Sequence, residues 1–277
     1  LMLRREMLIK TGLFSAGLGL QLSAKASQPK PSRVLRIAHI TDVHIQNLLG
    51  AARGFEKCLH HLQEQPIKPD FVFNGGDCIM GVTKSPLKQL ERQFELFNEV
   101  INSENSLPVY HCVGNHDIWY GNNNDMPGEK RRVMDTIGLS KAYYHFQKHG
   151  WHFIVLDSIQ PGNGHKKYTA ALDDEQFHWL KKTLKSIPSE APIMVMSHIP
   201  ILAACVFFDG SNFEGDSWRI PGSWMHSDAN DLVKLFHKHS NIKLAISGHI
   251  HLQDKVSVHP NNMCSRLLPK KQLVVEV

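Results

Sequence analysis

Short apolar runs that stop at polar or glycine-containing clusters recur along this chain, and they set its predicted architecture. Val34 to Ile40, Asp70 to Asn74, Pro108 to Val113, Pro192 to Met196 and Ile242 to Ile246 are each too short for a helix and read as buried strands. Between them the apolar period lengthens to that of helices. Ala51 to Gln65 is the first such stretch, and a stripe of Leu87, Leu90, Phe94, Phe97 and Ile101 follows the Ser85-Pro86 start. Asp173 and Gln176 form a capping box ahead of Phe177, Leu180 and Leu184, and a last helix carries Leu232, Leu235 and Phe236. Tyr143 to Gln147 and Trp151 to Leu156 flank Lys148-His149-Gly150 and read as a β-hairpin, which brings antiparallel pairing into a strand-loop-helix order. Ile199 to His226 has aromatics and glycines but little periodicity, so it is expected to be a functional surface loop.

The two ends follow other patterns. Residues 1–26 combine Arg4-Arg5 with a glycine-interrupted apolar stretch from Thr11 to Leu22 and small residues at Ala24 and Ala26, the signature of a cleaved twin-arginine export signal. The apolar part is short for a membrane span, which makes an uncleaved anchor the lesser reading. Residues 27–33, with Pro29 and Pro31, read as a linker, and the main domain is expected over 34–258. In 259–277 only Leu273-Val274-Val275 shows a strand-like run, so the tail is expected to be atypical, truncated or frame-shifted, leaving an exposed strand edge.

Composition narrows the function. The chain has 277 residues and a formal charge of +5, and without the first 26 residues it carries 27 basic and 25 acidic side chains. That near-neutral balance argues against a nucleic-acid partner and hence against a DNA nuclease. Five cysteines without C-x-x-C spacing indicate neither a disulfide framework nor a zinc ribbon. Eighteen histidines hint at metal or proton chemistry.

The histidines gain meaning from where they fall. The predicted strands end at Asp42 and His44, at Asp77, at Asn115 and His116, at His198, and at His249 and His251. Each cluster alone is compatible with ordinary turn chemistry. Together, with His116 set apart, they supply two Asp, one Asn and four His as candidate ligands at strand carboxyl ends, where open α/β sheets gather their sites. That donor set suffices for two metal ions sharing a carboxylate.

Taken in order, Asp42-x-His44, Gly76-Asp77, Gly114-Asn115-His116-Asp117, His198 and Gly248-His249-x-His251 resemble the calcineurin-like metallophosphoesterases. Their spacing is most similar to that of the bacterial class III cyclic-nucleotide-phosphodiesterase branch. The resemblance implies an α/β fold, a four-layer α/β/β/α sandwich with mixed sheets, here incomplete at its C-terminus. It further implies two ions (iron, manganese or zinc), with Asp42, His44 and His251 holding one, Asn115, His198 and His249 the other, and Asp77 bridging. His116 would meet the phosphate or protonate the leaving group, and Asp117 would orient His116. A hydroxide bridging the two metals would then attack the phosphorus of a small phosphoester.

The function expected is an exported, periplasmic phosphodiesterase, with a phosphomonoesterase as the alternative. A non-catalytic metal-binding domain, disabled by its incomplete C-terminus, is the alternative of another class. Trp119, Tyr120, His165-Lys166-Lys167, Phe207, Phe208 and Trp218 are the candidates for substrate-facing loops. Oligomeric state, metal identity and substrate are open at this level.

Overall fold

The computed structural model describes residues 35–47, 50–81, 86–121, 125–162, 166–208, 210–258 and 273–276. The expected leader and linker, Ser85, His165 and Cys264 lie outside them.

Three strands, β1 (Ile37–Ile40), β2 (Phe71–Asn74) and β3 (Val109–His111), form a parallel sheet in sequence order. Crossovers through α1 (Ala51–Gln63) and α2 (Leu87–Glu104) put both helices on one face, where Phe55, Leu59, Phe94 and Phe97 pack with Val72. Pro86 occupies the N-cap itself, one position earlier than the sequence suggests. A helix unmarked by the apolar pattern, α3 (Met126–Ile137), joins this layer through Val133 and Met134. Its start is local chemistry: Asp125 accepts from the Gly128 N–H, with Pro127 in the first turn.

The second sheet has six strands. The expected hairpin is β4 (Tyr144–Lys148) and β5 (Trp151–Leu156), closed by His149 and Gly150, both at positive φ. A short ribbon of β6 (Ile159–Pro161) and β7 (Tyr168–Ala170) follows, then α4 (Asp174–Ser186), β8 (Ile193–Ser197), a ribbon of β9 (Phe213–Glu214) and β10 (Ser217–Trp218), and α5 (Ala229–His237). The last strands are β11 (Ile242–Ile246), β12 (Lys255–Val258) and β13 (Leu273–Glu276). In space the order is β12-β13-β11-β8-β5-β4. The sheet is mixed, with β13 parallel to β11 and antiparallel to β12. The tail thus reaches past the expected boundary at Val258 and supplies an inner strand.

Helices α4 and α5 cover the outer face of this sheet with Leu180, Leu184, Leu232 and Phe236. Between the two sheets lies an aromatic layer of Phe71, Phe73 and Phe153 with Val155 and Met196. The order of layers is therefore α/β/β/α, as the resemblance implies. Both sheets present the carboxyl ends of their parallel strands at the same edge, where the His249 backbone N–H donates to Asp42 Oδ2 at 3.0 Å and His198 Nδ1 meets Gly75 O at 2.9 Å, and within each sheet backbone bonds continue beyond the strands. Asp42 N–H donates to Gly76 O, His44 N–H to Asp77 O, and Gly248 N–H to His198 O, each at 3.0 Å.

Candidate metal centre

Six non-glycine residues among those described have φ in the left-handed region, and five of them are Asp42, His44, Asp77, His249 and His251. The sixth, His149, is explained by its hairpin turn. An L-residue pays for that conformation, so its concentration at candidate ligands marks a backbone held by its surroundings in the service of side-chain direction. The motif glycines allow the loops to close this tightly. A Cβ on Gly114 would strike the backbone and carboxylate of Asp77, and one on Gly248 would strike Thr41 and Asp42.

The first cluster is Asp42, His44 and His251. His44 Nε2 and His251 Nε2 lie 3.0 Å apart, and Asp42 Oδ1 lies 3.2 Å from the latter and 3.8 Å from the former. Asp42 is fixed from behind by the Thr41 hydroxyl at 2.6 Å and by the His249 backbone N–H. The second cluster brings His198 Nε2 to 3.2 Å from Asp77 Oδ2 and 3.1 Å from Asn115 Oδ1, with the His249 ring centroid 5.1 Å from that of His198. Asp77 stands between the clusters, its Oδ2 also 3.6 Å from His44 Nε2. Three overlapping triads result, Asp42/His44/His251, His44/Asp77/His116 and Asp77/His198/His249, each with ligand atoms within 4.8 Å of one another.

Hydrogen bonding at the far side of two of the rings, His198 and His249, fixes which nitrogen is available. His198 Nδ1 faces Gly75 O at 2.9 Å, and His249 Nε2 faces Ser223 O at 2.8 Å. A carbonyl only accepts, so those nitrogens carry the hydrogens, leaving lone pairs on His198 Nε2 and His249 Nδ1. His198 Nε2 then meets two oxygen acceptors, an arrangement that repels unless a proton or a cation lies among them. In the metal-free chain the proton is favoured: burial opposes a charge on His198, but Asp77 overcomes it and raises the imidazole to about 9. The converse holds for Asp77. Burial disfavours its ionisation, yet His198 holds the carboxyl well below the usual carboxylate range. His249, by contrast, is pushed down to about 4 by burial and then by the charge of His198. This donor set of imidazole, carboxylate and amide oxygen suits iron, manganese or zinc.

His116 and Asp117 divide differently from the expectation. The His116 ring packs edge-on to that of His44, with centroids 4.6 Å apart. Its Nδ1 is held by the carbonyls of Met80 and Gly81, the latter at 3.0 Å, and its backbone N–H donates to Asp77 Oδ1 at 2.8 Å. Asp117 does not orient that imidazole. Fully enclosed, it spends its oxygens on backbone donors: Gly114 at 2.8 Å, Asp77 at 3.0 Å, Cys78 at 2.8 Å and Ile79 at 3.4 Å. It is a clamp on the loop that carries Asp77.

Beside the clusters opens a cavity of about 480 Å³, lined by Asp77, Asn115, His116, His249 and His251 on one side. Phe208 lines it, as do Tyr168 and Trp224, which the sequence did not single out because both sit in stretches without periodicity. Trp119 and Tyr120 instead pack against the first core. Phe207 and Trp218 pair with each other, edge-on at 5.2 Å.

The family model for calcineurin-like phosphoesterase matches residues 35–253. The chain is 24% identical over 224 residues to the 3',5'-cyclic adenosine monophosphate phosphodiesterase CpdA of Escherichia coli (strain K12), covering 78% of this chain and 70% of that protein. It is 23% identical over 237 residues to the 3',5'-cyclic-nucleotide phosphodiesterase alr5338 of Nostoc sp., covering 81% and 74%. Among solved structures its fold is similar to that of a dimetal phosphatase from Danio rerio, with a TM-score of 0.61, 15% identity and 87% of each chain covered.

Proposed function

Since the chain belongs to the calcineurin-like phosphoesterase family of metal-dependent phosphoric ester hydrolases, we propose that it cleaves a phosphodiester using two metal ions held by the clusters above. The observation that carries this reading is the meeting of His198 Nε2 with two oxygens that can only accept. Asp42, His44 and His251 would hold one ion and Asn115, His198 and His249 the other, with Asp77 shared. Bound metal would supply a nucleophile from water near neutral pH and neutralise phosphate oxygens.

The remaining work falls to the chain. With its Nδ1 hydrogen given to Met80 and Gly81, His116 has Nε2 free to hold a proton for the departing oxygen. Two observations favour a diester over a monoester. The relatives named above are phosphodiesterases. In addition, the described residues lining the cavity include no Lys or Arg, so a monoanionic diester is better matched there than a dianionic monoester.

His116→Ala tests the assignment. Two metals per chain should remain by elemental analysis, while turnover falls about a hundredfold or more on an ester with a poor leaving group. The loss should shrink for a nitrophenolate, which needs no proton. Loss of metal in that variant, or full activity on the poor leaving group, would remove His116 from the chemistry. Among the described residues no helix is long and apolar enough to cross a membrane. The twin-arginine stretch supports export to the periplasm, and replacing Arg4 and Arg5 by Lys should then leave the protein inside the cell by fractionation.

A further inference from the structure

The cavity beside the clusters has a second wall made of Tyr168, Val206, Phe208, Trp224, Ile250 and Leu252. Three of these six are aromatic. Val206 is buried, with Trp224 and Ile250 packed against the same small core, so most of the wall is fixed. Phe208 is the exception in exposure, with 79% of its surface open to solvent. Its neighbour Phe207 spends its ring on Trp218, whereas Phe208 packs against no other ring among the described residues.

Phe208 is nonetheless not on a loose loop. It ends the 3₁₀ turn Cys205–Phe208, and Asp254 Oδ2 anchors the start of that turn by accepting the N–H groups of Ala204 and Cys205, the latter at 2.8 Å. Asp254 lies three residues beyond His251, so the segment carrying two candidate ligands also fixes the turn carrying Phe208. A large apolar ring is thus held open to solvent at a set place beside the site of phosphate chemistry. A ring held open in this way offers its face for stacking on a planar ligand. Without Lys or Arg in the described lining, a second anionic group on the ligand would find no partner.

We infer that this wall receives an uncharged planar aromatic ring in the organic part of the substrate, with Phe208 as the residue that selects for it. The inference rests on the phosphodiester reading and names a substrate class within it.

The test uses the full metal-loaded chain and three diesters that share a non-aromatic 2,2,2-trifluoroethoxide leaving group, its release followed by fluorine NMR, their second group being methyl, n-hexyl or 2-naphthylmethyl. The naphthylmethyl ester should exceed the methyl ester in kcat/KM by about tenfold or more, the scale of one aromatic stack, with the hexyl ester well below the naphthylmethyl. Phe208→Ala should collapse that preference and Phe208→Trp should retain it. Phe213→Ala, an exposed aromatic outside the cavity, should behave as the parent. Equal rates on methyl and naphthylmethyl esters, an unchanged preference in Phe208→Ala, or a hexyl ester as good as the naphthylmethyl would overturn the inference. Calorimetric binding of 2-naphthylphosphonate against methylphosphonate decides independently of turnover. If no ester is hydrolysed but naphthylphosphonate binds more tightly through Phe208, the wall stands and the diester reading falls. If neither phosphonate is preferred, the wall falls.

Discussion

Asp77 and Asp157 are both buried carboxylates just past the end of a strand, 1% and 5% exposed, yet their surroundings differ in kind. Asp157 follows β5 and has a partner for every polar group. Lys130 from α3 donates to Oδ2, the Ile159 N–H donates to Oδ1 at 3.1 Å, and Gln176 takes up both its backbone N–H and its carbonyl at 2.9 Å. Ser158 beside it accepts the Ile199 N–H at 3.0 Å. Asp77 takes one backbone donor, the His116 N–H on Oδ1, and its Oδ2 faces imidazole nitrogens of His44 and His198 beside other acceptors, on a backbone at φ 52°. The first carboxylate is finished by the protein and ties α3 and α4 to the sheet. The second is complete only with something added. Burial alone does not distinguish an anchoring charge from a functional one, whereas an inventory of donors against acceptors does.

Substitutions can break this contrast. The largest effect is expected at Asp77→Asn, where asparagine tolerates the positive φ and can still accept from His116. Loss of the shared charge should cost several kcal/mol of transition-state stabilisation, or about three orders of magnitude or more in turnover. Metal content should drop while the metal-free chain stays folded, with a smaller loss of melting temperature than in Asp157→Ala because His198 can give up its proton. A variant that unfolds but retains metal would show Asp77 to be an anchor like Asp157. The reverse pattern is expected for Asp157→Ala, which strands Lys130 and should destabilise the fold by about 3–5 kcal/mol in urea. Metal per folded molecule should be unchanged, and a selective loss of metal would overturn the division.

Asp117 sharpens the comparison because it is finished like Asp157 yet acts on Asp77. In Asp117→Asn an amide group replaces an oxygen that meets only N–H donors. The Asp77 loop should shift, and metal affinity should fall about 10–100-fold, the usual range for a residue behind a ligand. Were Asp117 merely to orient His116, affinity by metal titration would hold and only turnover would suffer.

The site was readable from sequence to the extent that its chemistry is local. Short apolar runs followed by Gly76-Asp77 or Gly248-His249 announce a strand and the group it delivers, and the helical stripe of α2 is equally plain. What was not readable depends on partners distant in sequence. Asp157 looks like any loop aspartate until Lys130 and Gln176 reach it from two helices. Asp117 sits beside His116 in sequence, which suggested a partnership, but the turn at residues 115–117 aims its carboxylate back at Gly114 and the Asp77 loop. Tyr168, Trp224 and Ser223 come from ribbons and turns whose apolar residues follow no period. The strand-like run at Leu273-Val274-Val275 was visible, but its place as an inner strand depends on β11 and β12 on either side.

The left-handed backbone at five candidate ligands also bears on what an engineer could put there. Residue types that tolerate positive φ are glycine, asparagine, aspartate and histidine, while β-branched and bulky residues are strained. The types that offer hard or borderline donors overlap that set in asparagine, aspartate and histidine, and aspartate and histidine are the two found at these five positions. Recasting the centre for a soft metal would call for cysteine or methionine at Asp42, His44, His249 or His251. There the main chain, rather than coordination chemistry, would be the first obstacle, so a redesigned specificity has to begin by rebuilding the turns.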